Sequence, residues 1–323
     1  MTKDQVLMHL KKASGYLSGE EISQKIGVTR AAVSEAVKAL RKAGYVIDSA
    51  TRKGYLLRES PNVLSLAEMA PYLPEERLSR VLVLEKTGST NSDLKAMAHQ
   101  GSPEGQVIIA NEQTEGRGRR GRSFLSLKDK GIYFSYLLRP DCRPEDVISI
   151  TAWTAVAVAR AVKKVCGIRP DIKWVNDLQI NGRKICGILS EMWMESESAH
   201  IKYIIVGLGI NVNQSPEDFP EELREVAGSI AMGHGKHLSR SHLAAEMVRE
   251  MDALAASWPK GKEKYFKTYR SYCITEDRDI AVITPRETKK AHAICVNTDF
   301  TLKVSYEDGS VEDLSSGEVS TSL

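Results

Sequence analysis

The seven residues Gly116-Arg117-Gly118-Arg119-Arg120-Gly121-Arg122 contain three glycines and four arginines, shortly after the expected strand 107–111. Glycines allow positive φ and close approach of backbone to a ligand. Guanidinium forks match phosphate oxygens bidentately. Together they suit a loop that folds over a polyanion, and Phe124 just beyond it offers a face for stacking on a base. The loop is no Walker A motif, because GxxxxGK[ST] is absent. It lacks the helix that directly follows the glycines in a dinucleotide fingerprint. From the residues alone, a disordered Arg/Gly segment and an exposed basic turn stay open. Two further sets carry chemistry. Ser89-Thr90-Asn91 presents short hydroxyls and an amide at a strand end, where they serve either a polar ligand or a helix cap. Lys184 follows Asn181-Gly182-Arg183, a hairpin signal, and by that context alone is a surface lysine.

These residues need a scaffold. Over roughly 66–275 the pattern alternates, with strands expected at 81–85, 107–111, 132–138, 171–174, 185–194 and 201–210, and helices at 144–166, 239–256 and 260–272. The expected fold class is α+β, with a mixed sheet carrying helices against one face. From about 276 to 323 short strands alternate with turns such as Asp308-Gly309, which fits a small barrel. Residues 58–65, RESPNVLS, read as a linker. The domain expectation is therefore 1–60, 61–275 and 276–323.

The first 60 residues read helix, helix, turn, helix, hairpin. Val6, Leu7 and Leu10 give the first helix an apolar side, Glu20–Ile26 form the second, Gly27 breaks it, and Thr29 caps the third. Val33, Val37 and Leu40 recur at helical spacing, leaving Thr29, Arg30, Ser34 and Lys38 on the open side. That is a helix-turn-helix whose second helix enters a major groove, with Arg52 and Lys53 at a wing tip against phosphates. A helical module for protein contacts is the competing reading, and Glu35 favours it. Charge favours DNA: residues 1–60 hold 11 Lys and Arg against 6 Asp and Glu, a net +5, while the remainder holds 34 against 36.

Bulk properties restrict the class further. No apolar run approaches the length of a membrane span, and the first residues lack the apolar core of a signal peptide. Five dispersed cysteines, with no CxxC, fit neither a disulfide framework nor a zinc site. A cytoplasmic protein without membrane contact is expected.

The ordered set Gly88-Ser89-Thr90-Asn91, Gln113, the 116–122 loop, Lys173-Trp174-Val175-Asn176-Asp177, Gly182-Arg183-Lys184, Gly187-Ile188-Leu189 with Glu191, and Gly207-Leu208-Gly209-Ile210-Asn211-Val212-Asn213 resembles the biotin protein ligase family, in its bifunctional ligase/repressor form. The resemblance covers nearly the whole chain. It implies that biotin and ATP are substrates, joined as biotinyl-AMP, and that biotin then passes to a lysine of a biotin carboxyl carrier protein. It implies a catalytic pair, Lys184 and Arg119. Biotin would be bound by Ser89, Thr90, Asn91, Gln113, Gly116, Arg117, Gly118, Arg119, Lys184, Gly187 and Leu189. ATP and adenylate would be bound by Arg117, Arg119, Arg120, Arg122, Phe124, Lys173, Asn176, Asp177, Lys184 and Asn211, with Asp177 holding Mg²⁺ directly or through water. For Asn211 a polar residue closing a strand is the alternative. The resemblance further implies operator DNA as a partner, a homodimer when biotinyl-AMP is bound, and an SH3-like C-terminal barrel. Two departures stand out: Val175 where many relatives have Pro, expected to keep the strand extended, and Phe124 where Trp is common. The rival functions are a DNA-binding regulator with an inactive ligase-like domain, and a lipoate or octanoyl transferase.

Overall fold

The computed structural model describes residues 2–142, 144–195, 200–284 and 287–320. Two compact units are present: Met1–Val83 with Ser239–Ala245, and Leu84–Leu238 with Glu246–Leu323.

In the first unit, helices Thr2–Lys12, Gly19–Ile26 and Arg30–Lys42 precede a hairpin of Val46–Ala50 and Gly54–Glu59. Local chemistry sets each boundary. Ser18 and Glu21 form a reciprocal capping box, Gly27 closes the second helix in the left-handed region, and the Thr29 hydroxyl accepts from Ala32 N. The three helices bury Val6, Leu7, Leu10, Ile22, Val33, Val37 and Leu40 in one core. Arg41 ties the third helix to the hairpin by donating to Ile47 O at 2.6 Å and Ser49 Oγ at 2.7 Å. The span read as a linker is partly structured. Its first two residues finish the hairpin, and Leu64 is buried. Ser241 Oγ donates to Val63 O at 2.8 Å.

The second unit is built on a sheet in which Val107–Ala110, Gly131–Leu138, Ile201–Asn211, Arg183–Met194, Asp177–Ile180 and Asp171–Lys173 lie side by side in that order, each antiparallel to the next. Thr87 bridges Gln113 in parallel, so the sheet is mixed. Helices cover both faces, not one. Thr90–His99 packs Leu94 and Ala98 against Leu137 and Ile205. The opposite face is taken by Ile148–Cys166, where Thr151 meets Ser190, and by Arg240–Ser257, where Asp252 accepts from Tyr136. The reason is legible afterwards: every residue of Gly131–Leu138 is buried, so both sides of that strand need cover. The hairpin at Asn181-Gly182 forms, with φ of 51° and 75°. Strand 171–174 ends one residue early, and 174–176 is a turn with a cis Trp174–Val175 bond, so Val175 does not extend the strand.

Five antiparallel strands follow: Arg278–Ile283, Thr288–Val296, Leu302–Tyr306, Val311–Leu314 and Glu318–Ser320. No helix among the described residues is long and apolar enough to cross a membrane.

Candidate active site

Strand pairing builds the floor of the site. Across three neighbouring strands, Tyr133, Gly209 and Gly187 form one row and Ser135, Gly207 and Leu189 the next, all on one face because alternate residues share a face. Three glycines there leave a recess. Asn91 fills the space above Gly207, and the Phe124 ring lies above Gly209, where an added Cβ would come within 2.5 Å of the ring. Phe124 meets Tyr133 edge-on, with centroids 6.4 Å apart.

Lys184 reaches this face through an irregularity. Leu178 pairs with Cys186 but Gln179 pairs with Lys184, so Ile185 is an extra residue. Such a bulge inverts the alternation on one side of it. Lys184 therefore shares a face with Gly187, and a Cβ on that glycine would lie 3.4 Å from Lys184 Nζ. Its ammonium lies 2.7 Å from Asp177 Oδ1. The contact is ionic without hydrogen-bond geometry, since that oxygen is shielded and takes no hydrogen bond.

Two adjoining clefts open here. The first is lined by Ser89, Thr90, Asn91, Gln113, Arg117, Gly118, Arg119, Phe124, Asn176, Lys184, Gly187 and Leu189, with backbone of the floor strands. Its polar end is a connected network. Gln113 Oε1 accepts from Thr90 N at 2.8 Å and Thr90 Oγ1 at 3.0 Å, while its Nε2 donates to Ser126 Oγ at 3.1 Å. The second is basic, lined by Arg119, Arg120, Arg122, Lys173, Asn176, Asp177 and Lys184, with Phe124 and Trp174 as flat walls and Glu318 at its rim. Arg119, Asn176, Phe124 and Lys184 border both.

The arginine loop is folded. Gly118 N donates to Arg122 O at 2.7 Å and Phe124 N to Gly116 O at 2.8 Å. Gly116 lines neither cleft; a side chain on it would strike Phe124 O, so its part is to let the loop close. Arg120 and Gly121 take φ of 56° and 75°. Arg119 donates to Asn176 Oδ1 at 2.9 Å and Gly317 O at 3.1 Å. Burial works against its charge, and Asp177 and Glu318 only partly counter that. Arg120 donates to Ile283 O at 2.9 Å, and Arg122 to Glu318 Oε1 at 2.8 Å. Burial alone would raise the Glu318 carboxyl; Arg122 and Arg120 more than offset it and hold it below its ordinary value.

Among the expected site residues, Asn211 lines neither cleft: it is buried, and its Oδ1 accepts from Gln214 at 3.0 Å. Sequence reasoning gave no part to Ser126, Ser135, Gly317 or Glu318, and no floor to Gly207 and Gly209. On the head, Arg30, Lys38, Arg52 and Lys53 are exposed, whereas Ser34 is half-buried and the Thr29 hydroxyl is spent on its cap. Arg30 lies 3.6 Å from Glu20, and Lys38 lies 2.7 Å from Glu35. No group of three metal-binding side chains occurs among the described residues.

The biotin/lipoate A/B protein ligase family model matches residues 83–211, and an HTH domain model matches residues 2–56. The bifunctional ligase/repressor BirA of Bacillus subtilis is 37% identical over 242 residues, 75% of this chain and 74% of that protein. BirA of Escherichia coli is 31% identical over 237 residues, 73% of this chain and 71% of that protein. A biotin protein ligase from Aquifex aeolicus, solved in complex with biotin and ATP, shares the fold at a TM-score of 0.62 and 24% identity, over 75% of this chain and 97% of that one. With this extent of likeness, the chain belongs to the biotin protein ligase family, in its bifunctional ligase/repressor branch.

Proposed function

We propose that this chain is an ATP-dependent biotin–carboxyl carrier protein ligase and a biotin-responsive, DNA-binding repressor. One observation carries the catalytic part: Lys184 and Arg119 stand where a cleft with a hydroxyl and amide end, Ser89, Thr90, Asn91 and Gln113, meets one lined by Arg120, Arg122 and Lys173. The hydroxyl and amide end of the first cleft suits a ureido ring, which offers one carbonyl and two N–H groups. The basic cleft suits a nucleotide, with Phe124 and Trp174 as stacking walls and Arg120, Arg122 and Lys173 for phosphates.

The reaction brings a carboxylate to an α-phosphate, both negative. Cations at the junction lower that repulsion and stabilise the charge that develops. The carboxylate oxygen forms a bond to phosphorus and pyrophosphate leaves. The carrier lysine then attacks the acyl carbon of the mixed anhydride, and AMP leaves with the electron pair. Arg117, Gly118 and Gly116 hold the loop over the anhydride and keep water from it. Gly187 and Leu189 form the floor under the ring and tail. Asn176 orients Arg119, and Asn211 supports the strand end.

Mg²⁺ belongs in this reading to the ATP that brings it. Asp177 is engaged by Lys184 and no acidic cluster surrounds it among the described residues, so the residues present do not form a resident metal cage, and no step is derived through the ion.

The division proposed is a winged helix-turn-helix over 1–60, a catalytic domain over 61–275, and an SH3-like barrel over 276–323, the last supported by five antiparallel strands in sequence. A cytoplasmic location, a biotinyl-AMP-dependent homodimer and operator binding complete the reading. Its test is biotin-dependent ATP–pyrophosphate exchange with a lipoate control. Exchange with biotin alone, lowered about a hundredfold or more in Lys184→Ala, is expected. No exchange with either acid would favour a regulator with an inactive ligase-like domain.

A further inference from the structure

Asn91 has both ends of its amide engaged. Its Nδ2 donates to Glu191 Oε2 at 2.7 Å, and its Oδ1 accepts from Ser135 Oγ at 2.6 Å. A carboxylate accepts and does not donate, so Glu191 admits the Nδ2 end alone. The amide oxygen is then turned to Ser135, and since that oxygen has no proton, the single Ser135 proton goes to it. Ser135 Oγ also lies 2.8 Å from Thr90 Oγ1, which is 3.0 Å from Gln113 Oε1. Ser135 has donor geometry to both oxygens, but with its one proton on the shorter contact to Asn91 it can meet Thr90 only as an acceptor, and the Thr90 lone pairs stay open to an N–H of a ligand. Were the amide reversed, Nδ2 would donate to Ser135, the Ser135 proton would turn to Thr90, and that acceptor would close. Glu191 itself is half-buried behind Asn91 and does not line the first cleft.

We infer that Glu191 is a positioning residue that sets the donor–acceptor polarity of the acid-binding cleft and thereby its preference for a ring bearing N–H groups. The inference rests on the biotin reading above. It assigns to Glu191 a selectivity role exerted through Asn91 and Ser135, without contact with the substrate.

The test is the KM for biotin and for ATP in pyrophosphate exchange with wild type, Glu191→Gln, Asn91→Asp and the double variant. Biotin is compared with the two carbamate analogues in which one or the other ring N–H is replaced by oxygen. Glu191→Gln is isosteric but lets the Asn91 amide reverse; the biotin KM should rise about tenfold, the ATP KM much less, and the preference over at least one analogue should narrow. Asn91→Asp sets two carboxylates face to face and should impair biotin binding similarly. In the double variant the new amide at position 191 donates to the new carboxylate at position 91, which still accepts from Ser135. Polarity is thereby restored, and the biotin KM should return most of the way. A purely structural role would move both substrates together and make the two losses multiply. Wild-type exchange with a Glu191→Gln biotin KM within about twofold of it, or a double variant at the product of the singles, overturns the inference. Absence of wild-type exchange with biotin overturns the underlying reading instead.

Discussion

Phe124 occupies the recess left by Gly209 and Gly187, and its ring borders both clefts. Gly209→Ala puts a methyl where the ring sits and should displace it from the nucleotide. Base–aromatic stacking contributes about 1–3 kcal/mol, so the KM for ATP should rise roughly tenfold or more, with thermal unfolding little altered. An unchanged ATP KM would mean the ring has no part in nucleotide binding. At this scale type and local spacing pointed to the arginine loop and the hydroxyl–amide triplet 89–91, whereas Lys184 after its turn read locally as a surface lysine and came to the site only through the family resemblance. Ser135, Gly207 and Glu318 were not readable, because their part depends on which distant strand or loop lies beside them. Asn211 shows the converse, a residue in a recognisable motif whose side chain is taken by Gln214, three positions on.

Two elements have single points of dependence. In the hairpin of Val46–Ala50 and Gly54–Glu59, Gly54 takes a φ of +104° and a Cβ there would overlap Leu17 O. Gly54→Ala should open the contact in which Leu17 and Tyr55 exchange backbone hydrogen bonds, and weaken DNA binding while biotin adenylation persists. A gel-shift run beside the exchange assay separates the two. In the C-terminal strand, Glu318 holds Arg122 of the loop. A carboxyl held below its ordinary 4.5 contributes stability that is complete above that value and lost as pH falls through its lowered one. The melting-temperature difference between wild type and Glu318→Gln should therefore be present at neutral pH and close at the acid end of a titration. A gap that persists there would assign the effect to packing. Element existence was largely legible, since the long helices and six of the strands follow from periodicity. The helices on both faces were not, because an apolar strand reads alike under one cover or two.

For the whole molecule, charge divides the labour. The basic first 60 residues carry exposed Arg30, Lys38, Arg52 and Lys53. Replacing Arg52 and Lys53 with Ala should weaken binding to operator and unrelated DNA alike and flatten the salt dependence of affinity, by about 0.9 in log–log slope for each phosphate no longer engaged. The exchange rate should be untouched. If only operator binding falls, the tip reads bases, not phosphates. Glu35 and Glu20, paired with Lys38 and Arg30, temper the surface, and the pairing is a matter of side-chain placement that composition could not settle.

The extra residue at Ile185 gives this enzyme a parity rule. Lysine and glycine at 184 and 187 share a face only because the strand miscounts by one between them. A deletion of Ile185 that restores regular pairing would set the two residues two positions apart, still on one face, whereas straightening the strand without shortening it would turn the ammonium away from the clefts. Loss of that one codon is thus a change the site can absorb, while a register slip of one residue on either side of it is not.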